Sequence, residues 1–181
     1  MKTLIVSKEN PILRQKAKEV HLTDISSKKI KEIIHRMKTA LAKEDDGVAI
    51  AAPQIGEPLK IFVVSGKVFS KNYPEIKPDE KTPEDLVCIN PEIFKLSRQK
   101  KKMSEGCLSI RWLYGDVLRS TKATIKAYDE KGVRFTRGGA GIIAQIFQHE
   151  TDHLNGVLFT DKAENIENVP PEEIKNKNVK I

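Results

Sequence analysis

The segment that most constrains the fold is a helix-patterned stretch between residues 141 and 154, which ends at Asn155-Gly156. Its apolar side chains recur with the three- and four-residue spacing of one helix face, and they are Ile142, Ile143, Ile146, Phe147 and Leu154. Asn and Gly both tolerate the left-handed backbone that commonly ends a helix. His149 and His153 stand four positions apart, so a helix places both imidazoles on one face, one turn from each other.

The two histidines and Glu150 form the pattern His-Glu-x-x-His. Two imidazoles one turn apart can hold one metal ion, and the glutamate beside them can serve as general base without being a ligand. Such a pattern also arises by chance, but a well-patterned helix is the context that this kind of site requires. The sequence therefore predicts a metal centre on this helix.

A catalytic metal commonly has three protein ligands and one open position, so the two histidines need a third partner. No histidine follows His153, and the available acids, Glu164 and Glu167, stand in a polar stretch. Upstream, Cys107 lies in a segment that is not apolar, and its thiolate is an acceptable ligand. Cys88 lies in an apolar run instead, which is typical of a buried structural cysteine. Cys107 is therefore the favoured third ligand.

The rest of the chain predicts one further helix and several short strands. Residues 26–43 carry one apolar helical stripe, and we expect Ser26 or Asp24 to cap that helix. The turn and strand candidates are Val48–Ala52, Lys60–Ser65, Leu86–Asn90, Ile93–Leu96, Lys122–Tyr128 and Val133–Thr136. A polar tail follows from about residue 163. The expected fold is α+β, one domain over residues 1–181, with short and mostly antiparallel strands packed around a central metal-binding helix.

Composition excludes several classes of protein. The longest apolar run, Val48–Ala52, is far shorter than the ~20 residues that cross a bilayer. Charge returns by Lys8, which leaves no room for a signal peptide. Two cysteines cannot form a disulfide scaffold, so we expect a cytoplasmic protein. The net charge of +7 fits either a lysine-rich solvated surface or a polyanionic partner such as RNA.

A segment of small residues, Gly47–Gln54, precedes the possible ligands and ends in an amide. With Glu105–Ser109 and Gln148–His153 it matches, in order, the motifs G-x-G-x-A-A-x-Q, E-G-C-L-S and Q-H-E-x-D-H. The chain thereby resembles the peptide deformylases, metal hydrolases that remove the formyl group from the N-terminal methionine of new polypeptides. The resemblance covers most of residues 40–160 and includes the segment from Tyr114 to Arg119.

The resemblance implies a role for each motif residue. It implies three metal ligands, which are Cys107, His149 and His153. The metal of the family is typically Fe(II), for which zinc, nickel or cobalt can substitute. Glu150 would act as general base and acid. The main-chain N–H of Leu108 and the side-chain amide of Gln54 would bind the oxyanion.

The formylated methionine is expected to bind among small and apolar residues beside the metal. These residues are Val48, Ala49, Gly106, Ile142 and Ile146. Ala49 stands where the family motif has its second glycine, and its methyl group adds bulk beside a bound peptide. Arg111-Trp112 stands where many members have a proline, and we expect this pair to shape the substrate entrance.

Two other functions fit parts of the sequence. An endopeptidase with a His-Glu-x-x-His helix would need a downstream ligand and a long cleft. A non-catalytic metal-binding or ribosome-binding module would use the lysine-rich surface, for example the run from Lys95 to Lys102, but it has no need for Glu150. A solvated strand edge or loop also explains that run. The expected partners are formylmethionyl nascent peptides and, transiently, the ribosome, with neither DNA nor a membrane.

Overall fold

A computed structural model of the chain describes residues 4–75 and 81–170. Within these ranges the two α-helices are α1 (Lys28–Leu41) and α2 (Ile142–Leu154). The strands are β1 (Ala49–Ala51), β2 (Ile61–Val64), β3 (Leu86–Leu96), β4 (Lys100–Glu105), β5 (Leu113–Ser120), β6 (Lys122–Tyr128), β7 (Arg134–Ala140) and β8 (Glu164–Asn168). Across the described residues, no helix is both long enough and apolar enough to cross a lipid bilayer. The last part of the expected polar tail, residues 171–181, lies outside the described residues.

The strands form two antiparallel sheets. The larger sheet has the order β1-β2-β3-β6-β7, and the smaller one has the order β4-β5-β8. Strand β6 shows the alternation expected from its sequence, with Ala123, Ile125 and Ala127 buried between more exposed neighbours. The expectation of an α+β fold with short antiparallel strands is confirmed.

Helix α1 covers one part of the larger sheet. Its apolar stripe packs with residues of β1 and β2 in a common core cluster. The expected cap at Ser26 or Asp24 is wrong by one to three positions. Ser27 caps the helix, because its extended backbone lets its hydroxyl accept the N–H of Ile30, three residues on, at 3.3 Å. His35 of α1 is exposed, as expected from its position off the apolar stripe.

Helix α2 is the buried helix of the fold, and it contacts strands of both sheets, including β1, β3, β6, β7 and β5. Ile146 and Phe147 are fully buried in its core-facing surface. The helix ends as expected, with Asn155 as C-cap and Gly156 in the left-handed region at φ 74°. Strands therefore surround the segment that carries His149 and His153.

Three parts of the chain differ from the expectation. Strand β3 runs through Pro91 as one strand, because a register shift between Ile89 and Glu92 accommodates the proline. Strands β4 and β5 both lie outside the strand candidates of the sequence. Strand β8 lies in the expected polar tail, where all five residues are exposed and no alternation marks a strand. It forms by main-chain pairing at the edge of the smaller sheet, with Leu113 opposite Asn168.

Candidate metal centre

The three residues expected as metal ligands lie together. Cys107, His149 and His153 each offer one ligand atom, and these atoms all lie within 4.8 Å of one another. The Cys107 Sγ is 3.2 Å from the His153 Nε2. Helix α2 supplies both imidazoles, and the loop between β4 and β5 supplies the thiol. All three residues are nearly inaccessible to solvent, with 6%, 3% and 1% of the surface of Cys107, His149 and His153 exposed.

Glu105 fixes the orientation of the first imidazole. Its Oε2 lies 3.0 Å from the Nδ1 of His149, which leaves the Nε2 of that ring for another partner. Metal-binding histidines usually present their second nitrogen to a carboxylate or carbonyl in this way. Glu105 is completely buried at the end of β4.

Arg119 on β5 holds that carboxylate from the other side. Its Nε and Nη2 donate to the two oxygens of Glu105 at 2.7 and 2.9 Å. Its Nη1 donates to Asp152 on α2 at 2.6 Å. Sequence reasoning assigned no role to Glu105 or Arg119, although both stand in segments that carry the resemblance. No sequence pattern could have found Arg119, because in β5 the apolar Leu118 is exposed and the charged Arg119 is buried.

The charges around the thiol favour a thiolate. Burial alone raises the pKa of Cys107, but the charge of His153 and hydrogen bonds from both imidazoles lower it to about 5. Burial also raises the pKa of Glu105, but hydrogen bonds from Arg119 and His149 outweigh that effect and lower it to about 2. The centre therefore holds a thiolate at neutral pH for which a cation is a suitable partner, whereas the Glu105 carboxylate is already paired with Arg119.

Glu150 differs from these groups because its carboxyl is buried without full hydrogen bonding. Burial raises the pKa of Glu150 to about 7, against the charges of His149 and His153. Among the described residues, its Oε2 and the Nδ1 of His153 are buried side-chain atoms without a hydrogen-bond partner. Buried polar atoms nearly always have a partner in the protein or in bound water, so this space suits water or substrate. A thiolate with two imidazoles is also a donor set that suits zinc or iron.

Gln54 faces the same centre from the 3-10 turn Ala52–Ile55, which follows β1. Its Oε1 accepts the N–H of Ala51 at 2.8 Å, which fixes the amide plane. Its Nε2 then points at the Cys107 Sγ, 3.5 Å away, and at the Ser109 hydroxyl, 3.3 Å away. Within the described part of the chain, the main-chain N–H of Leu108 donates to no acceptor. Two N–H donors thus lie beside the thiol.

The residues expected to line a methionine pocket lie close to one another. Four of them belong to one apolar cluster beside α2, and they are Val48, Ala49, Ile142 and Ile146. Ile146 is fully buried within it, whereas Ile142 at the start of α2 is only partly buried. Gly106 is buried directly before Cys107. The second cysteine, Cys88, lies in the same apolar cluster, and burial raises the pKa of its thiol well above the usual range.

Comparison with known proteins adds an independent line of evidence. The family model for polypeptide deformylases matches residues 2–169. The chain is 37% identical over 171 residues to a peptide deformylase of Borreliella burgdorferi, and this match covers 94% of this chain and 89% of that protein. It is 36% identical over 160 residues to a peptide deformylase of Christiangramia forsetii, covering 87% of this chain and 80% of the relative.

Solved structures give the same picture of the fold. A peptide deformylase from Thermotoga maritima superposes with a TM-score of 0.76 at 30% identity, covering 91% of this chain and 99% of that one. A Met-Ala-Ser-bound class I type b peptide deformylase from Acinetobacter baumannii superposes with a TM-score of 0.77 at 29% identity. That match covers 90% of this chain and 99% of the other.

Proposed function

The chain belongs to the peptide deformylase family, and on that premise we propose how its residues remove the formyl group from N-terminal formylmethionine. The observation that carries the proposal is the buried convergence of Cys107, His149 and His153 beside the unpartnered carboxyl oxygen of Glu150. A module that only binds metal has no need for an unpaired carboxyl beside the ligands, whereas a hydrolase needs a proton acceptor there.

We assign the metal to the thiolate and the two imidazoles, with Fe(II) as the native ion and zinc, nickel or cobalt as substitutes. When bound, a divalent metal supplies Lewis-acid polarisation of the formyl oxygen and lowers the pKa of water. Glu105 and Arg119 hold the His149 ring so that its Nε2 faces the centre. Glu150 directly follows His149 on α2, and its unpartnered Oε2 would accept a hydrogen bond from a water bound there.

Proton transfer falls to Glu150. Its carboxylate takes a proton from the attacking water as the water oxygen bonds to the formyl carbon. The same carboxyl then passes that proton to the amine nitrogen as the carbon–nitrogen bond breaks, which releases formate and a free N-terminal methionine. Burial favours this exchange, because a carboxyl with a pKa of about 7 both accepts and releases a proton near neutral pH.

Gln54 and Leu108 stabilise the negative charge that develops on the formyl oxygen. The Gln54 amide is held by Ala51 and already points at Cys107, so it needs little rearrangement. The Leu108 N–H directly follows the thiol in the chain. Removing one such donor typically lowers kcat by about 10²–10³.

The substrate is proposed to place its methionine side chain among the apolar residues beside α2. Val48 and Ala49 at the start of β1 would lie along the peptide, and Gly106 would allow its close approach. Ile142 is more accessible than the fully buried Ile146, so we assign Ile142 the larger contact. The Met-Ala-Ser tripeptide in the Acinetobacter baumannii relative supports a peptide that begins with methionine.

A formate-release assay with formyl-Met-Ala-Ser and acetyl-Met-Ala-Ser tests the proposal. We expect formate from the first peptide and no turnover of the second, because formyl is the smallest acyl group and the centre is buried. An internal peptide bond offered to the same preparation tests the endopeptidase alternative. Glu164 does not supply the downstream ligand that such an endopeptidase needs, since it lies exposed on β8 and pairs with Lys102. Cleavage of internal bonds without formate release would contradict the proposal.

Contact with the ribosome, and with it a place in the cytoplasm, is the remaining part of the proposed function. The basic run from the end of β3 into β4 supports it, because Lys95, Arg98, Lys100 and Lys101 are all exposed. Lys102 pairs with Glu164 and contributes less free charge. Co-sedimentation with ribosomes that declines as salt increases is the expected result. Charge reversal at Lys95 and Lys100 should weaken it, and unchanged co-sedimentation would contradict this contact.

A further inference from the structure

Arg111, in the loop that follows Cys107, forms ion pairs with the loop between α1 and β1. Its Nη2 lies 2.5 Å from Glu44 Oε2, and its Nη1 lies 2.6 Å from Asp46 Oδ2. The guanidinium therefore bridges two carboxylates, one with each terminal nitrogen. It also stacks on the ring of Trp112, with its Cζ 4.9 Å from the ring centroid. All three charged side chains are between one quarter and one third exposed.

Each of these segments leads directly to residues of the proposed site. Glu44 and Asp46 precede Gly47 and Val48, which lead into β1 and then to Gln54. Arg111 stands four positions after Cys107. The bridge thus connects the chain that positions one oxyanion donor with the chain that carries the thiolate.

Main-chain pairing does not hold these segments together. Strand β1 pairs with β2 and forms an edge of the larger sheet, and β4 pairs with β5 in the smaller sheet. Within the described residues, no main-chain hydrogen bond joins 44–49 to 106–111. An unpaired strand edge can accept an extended peptide by main-chain hydrogen bonds. The distance between this edge and the thiolate loop therefore depends on side chains.

The loop that carries the carboxylates is itself compact. The Gly47 N–H donates to the Glu44 carbonyl at 3.0 Å, and a Cβ at Gly47 would lie 3.0 Å from the Cβ of Glu44 and from the Cδ1 of Leu41. Because this turn is tight and leads directly into β1, the placement of Glu44 and Asp46 constrains the placement of Val48 and Ala49.

We propose that Arg111 is a positioning residue for the peptide part of the substrate. Together with Glu44 and Asp46 it sets the separation of β1 from the Cys107 loop, and so the fit of the residues that follow formylmethionine. This inference rests on the proposed function. The Gln54 amide keeps its own hydrogen bonds to Ala51 and Ser109 without Arg111, so the effect of Arg111 falls on KM and not on kcat.

Steady-state kinetics with formyl-Met-Ala-Ser and with formylmethioninamide separate these effects. For Arg111→Ala we expect KM for the tripeptide to rise about tenfold with kcat within about twofold, and a smaller change for the amide. Arg111→Lys should give an intermediate KM, because an ammonium cannot reach both carboxylates with the fork of a guanidinium. Lys38→Ala, which removes the exposed pair of Lys38 with Glu130, is the control and should change neither constant.

The carboxylate variant Glu44→Gln/Asp46→Asn distinguishes two ways in which Arg111 could act. In the first, a clamp, Arg111 holds the two carboxylates in place; in the second, it contacts the peptide directly. If Arg111 acts by holding Glu44 and Asp46, the carboxylate variant should raise the tripeptide KM as much as Arg111→Ala does. The triple variant should then have a KM no higher than that of either one. If the carboxylate variant leaves KM unchanged or lowers it, Arg111 acts on the peptide directly and the proposal is wrong. The proposal is also wrong if Arg111→Ala leaves KM unchanged for both the tripeptide and the amide, or if it lowers kcat equally for both substrates.

Calorimetric binding of unformylated Met-Ala-Ser gives a readout that does not depend on turnover. We expect its affinity to fall about tenfold in Arg111→Ala, in parallel with the rise in KM. Equal affinity in wild type and variant would overturn the clamp. Wild-type protein that binds Met-Ala-Ser but releases no formate from either substrate would instead contradict the proposed function, so the two failures are distinguishable.

Discussion

Glu150 and Cys107 show how two residues of ordinary type acquire unusual properties from their surroundings. Burial raises the pKa of the Glu150 carboxyl to about 7, while neighbouring imidazoles lower the pKa of the Cys107 thiol to about 5. The first group gains the ability to exchange protons near neutral pH, and the second becomes an anionic ligand. Neither property is visible in the residue type alone.

The role of Glu150 leads to a prediction for Glu150→Gln. The amide keeps the shape of the side chain but cannot accept a proton, so we expect kcat for formate release to fall by about 10²–10⁴. The metal content, measured by elemental analysis, should stay at the wild-type level, because Glu150 is not a proposed ligand. A variant that retains turnover would contradict the assigned role, and one that loses the metal would indicate a ligand.

The two cysteines offer a matched pair for the metal assignment. Cys107→Ala should abolish metal binding, because it removes one of three ligands. Cys88→Ala should retain the metal and activity, and we expect it to lower the free energy of unfolding by about 1 kcal/mol, since Cys88 is fully buried in the apolar core. Elemental analysis and urea unfolding check both variants. Equal metal loss in the two proteins would count against Cys107 as a ligand.

At the scale of secondary structure, the position of α2 depends on how closely β7 approaches its first turn. A Cβ at Gly139 would lie 2.8 Å from the Cβ of Ile143 and closer still to its Cγ2. A Cβ at Gly138, one residue earlier, would make an ordinary contact at 3.6 Å with the Thr124 hydroxyl. The glycine at 139 therefore permits the close packing that places the histidine face of α2.

This difference predicts different effects on the free energy of unfolding for two neighbouring substitutions. Gly139→Ala should lower the free energy of unfolding by about 1–3 kcal/mol, because the added methyl overpacks against Ile143. Gly138→Ala should change it by no more than about 0.5 kcal/mol. Urea denaturation of both variants checks the prediction. Similar stability losses at the two positions would show that strand propensity, which both share, outweighs the contact with α2.

At the scale of the whole molecule, Arg119 links the two sheets through α2. It lies on β5 of the smaller sheet, binds Glu105 at the end of β4, and reaches Asp152 on the helix that the larger sheet covers. Its side chain is only 5% exposed. Removing one partner of a buried ion pair leaves the other charge without compensation, and this is more costly than losing the pair at the surface.

We therefore expect Arg119→Met to lower the free energy of unfolding by about 3–5 kcal/mol and to weaken metal retention through Glu105 and His149. The matched control is Arg14→Met, which breaks the solvent-exposed pair of Arg14 with Asp161. This substitution should lower the free energy of unfolding by only about 0–1 kcal/mol. Chemical denaturation and metal analysis after dialysis measure both effects. Equal destabilisation of the two variants would contradict a special role for the buried network.

The parts of the molecule whose pattern is local can be predicted from the amino-acid sequence. Helices α1 and α2 follow from apolar stripes at helical spacing, and the hairpin strand β6 follows from strict alternation, because such patterns reflect the face that must be buried. The pairing of His149 with His153 is also local, since a four-residue spacing places both on one helix face. The three motifs were sufficient to place the chain in its family.

Features that join distant segments of the chain could not be predicted in this way, because they form only when the elements pack together. Strand β8 has no apolar alternation and exists because β5 offers it main-chain partners. Glu105, Arg119 and Asp152 come from three elements, and their network forms only when the two sheets close around α2. The bridge of Arg111 to the loop before β1 has the same origin. Contacts of this kind depend on how elements pack, and a one-dimensional pattern carries no information on that packing.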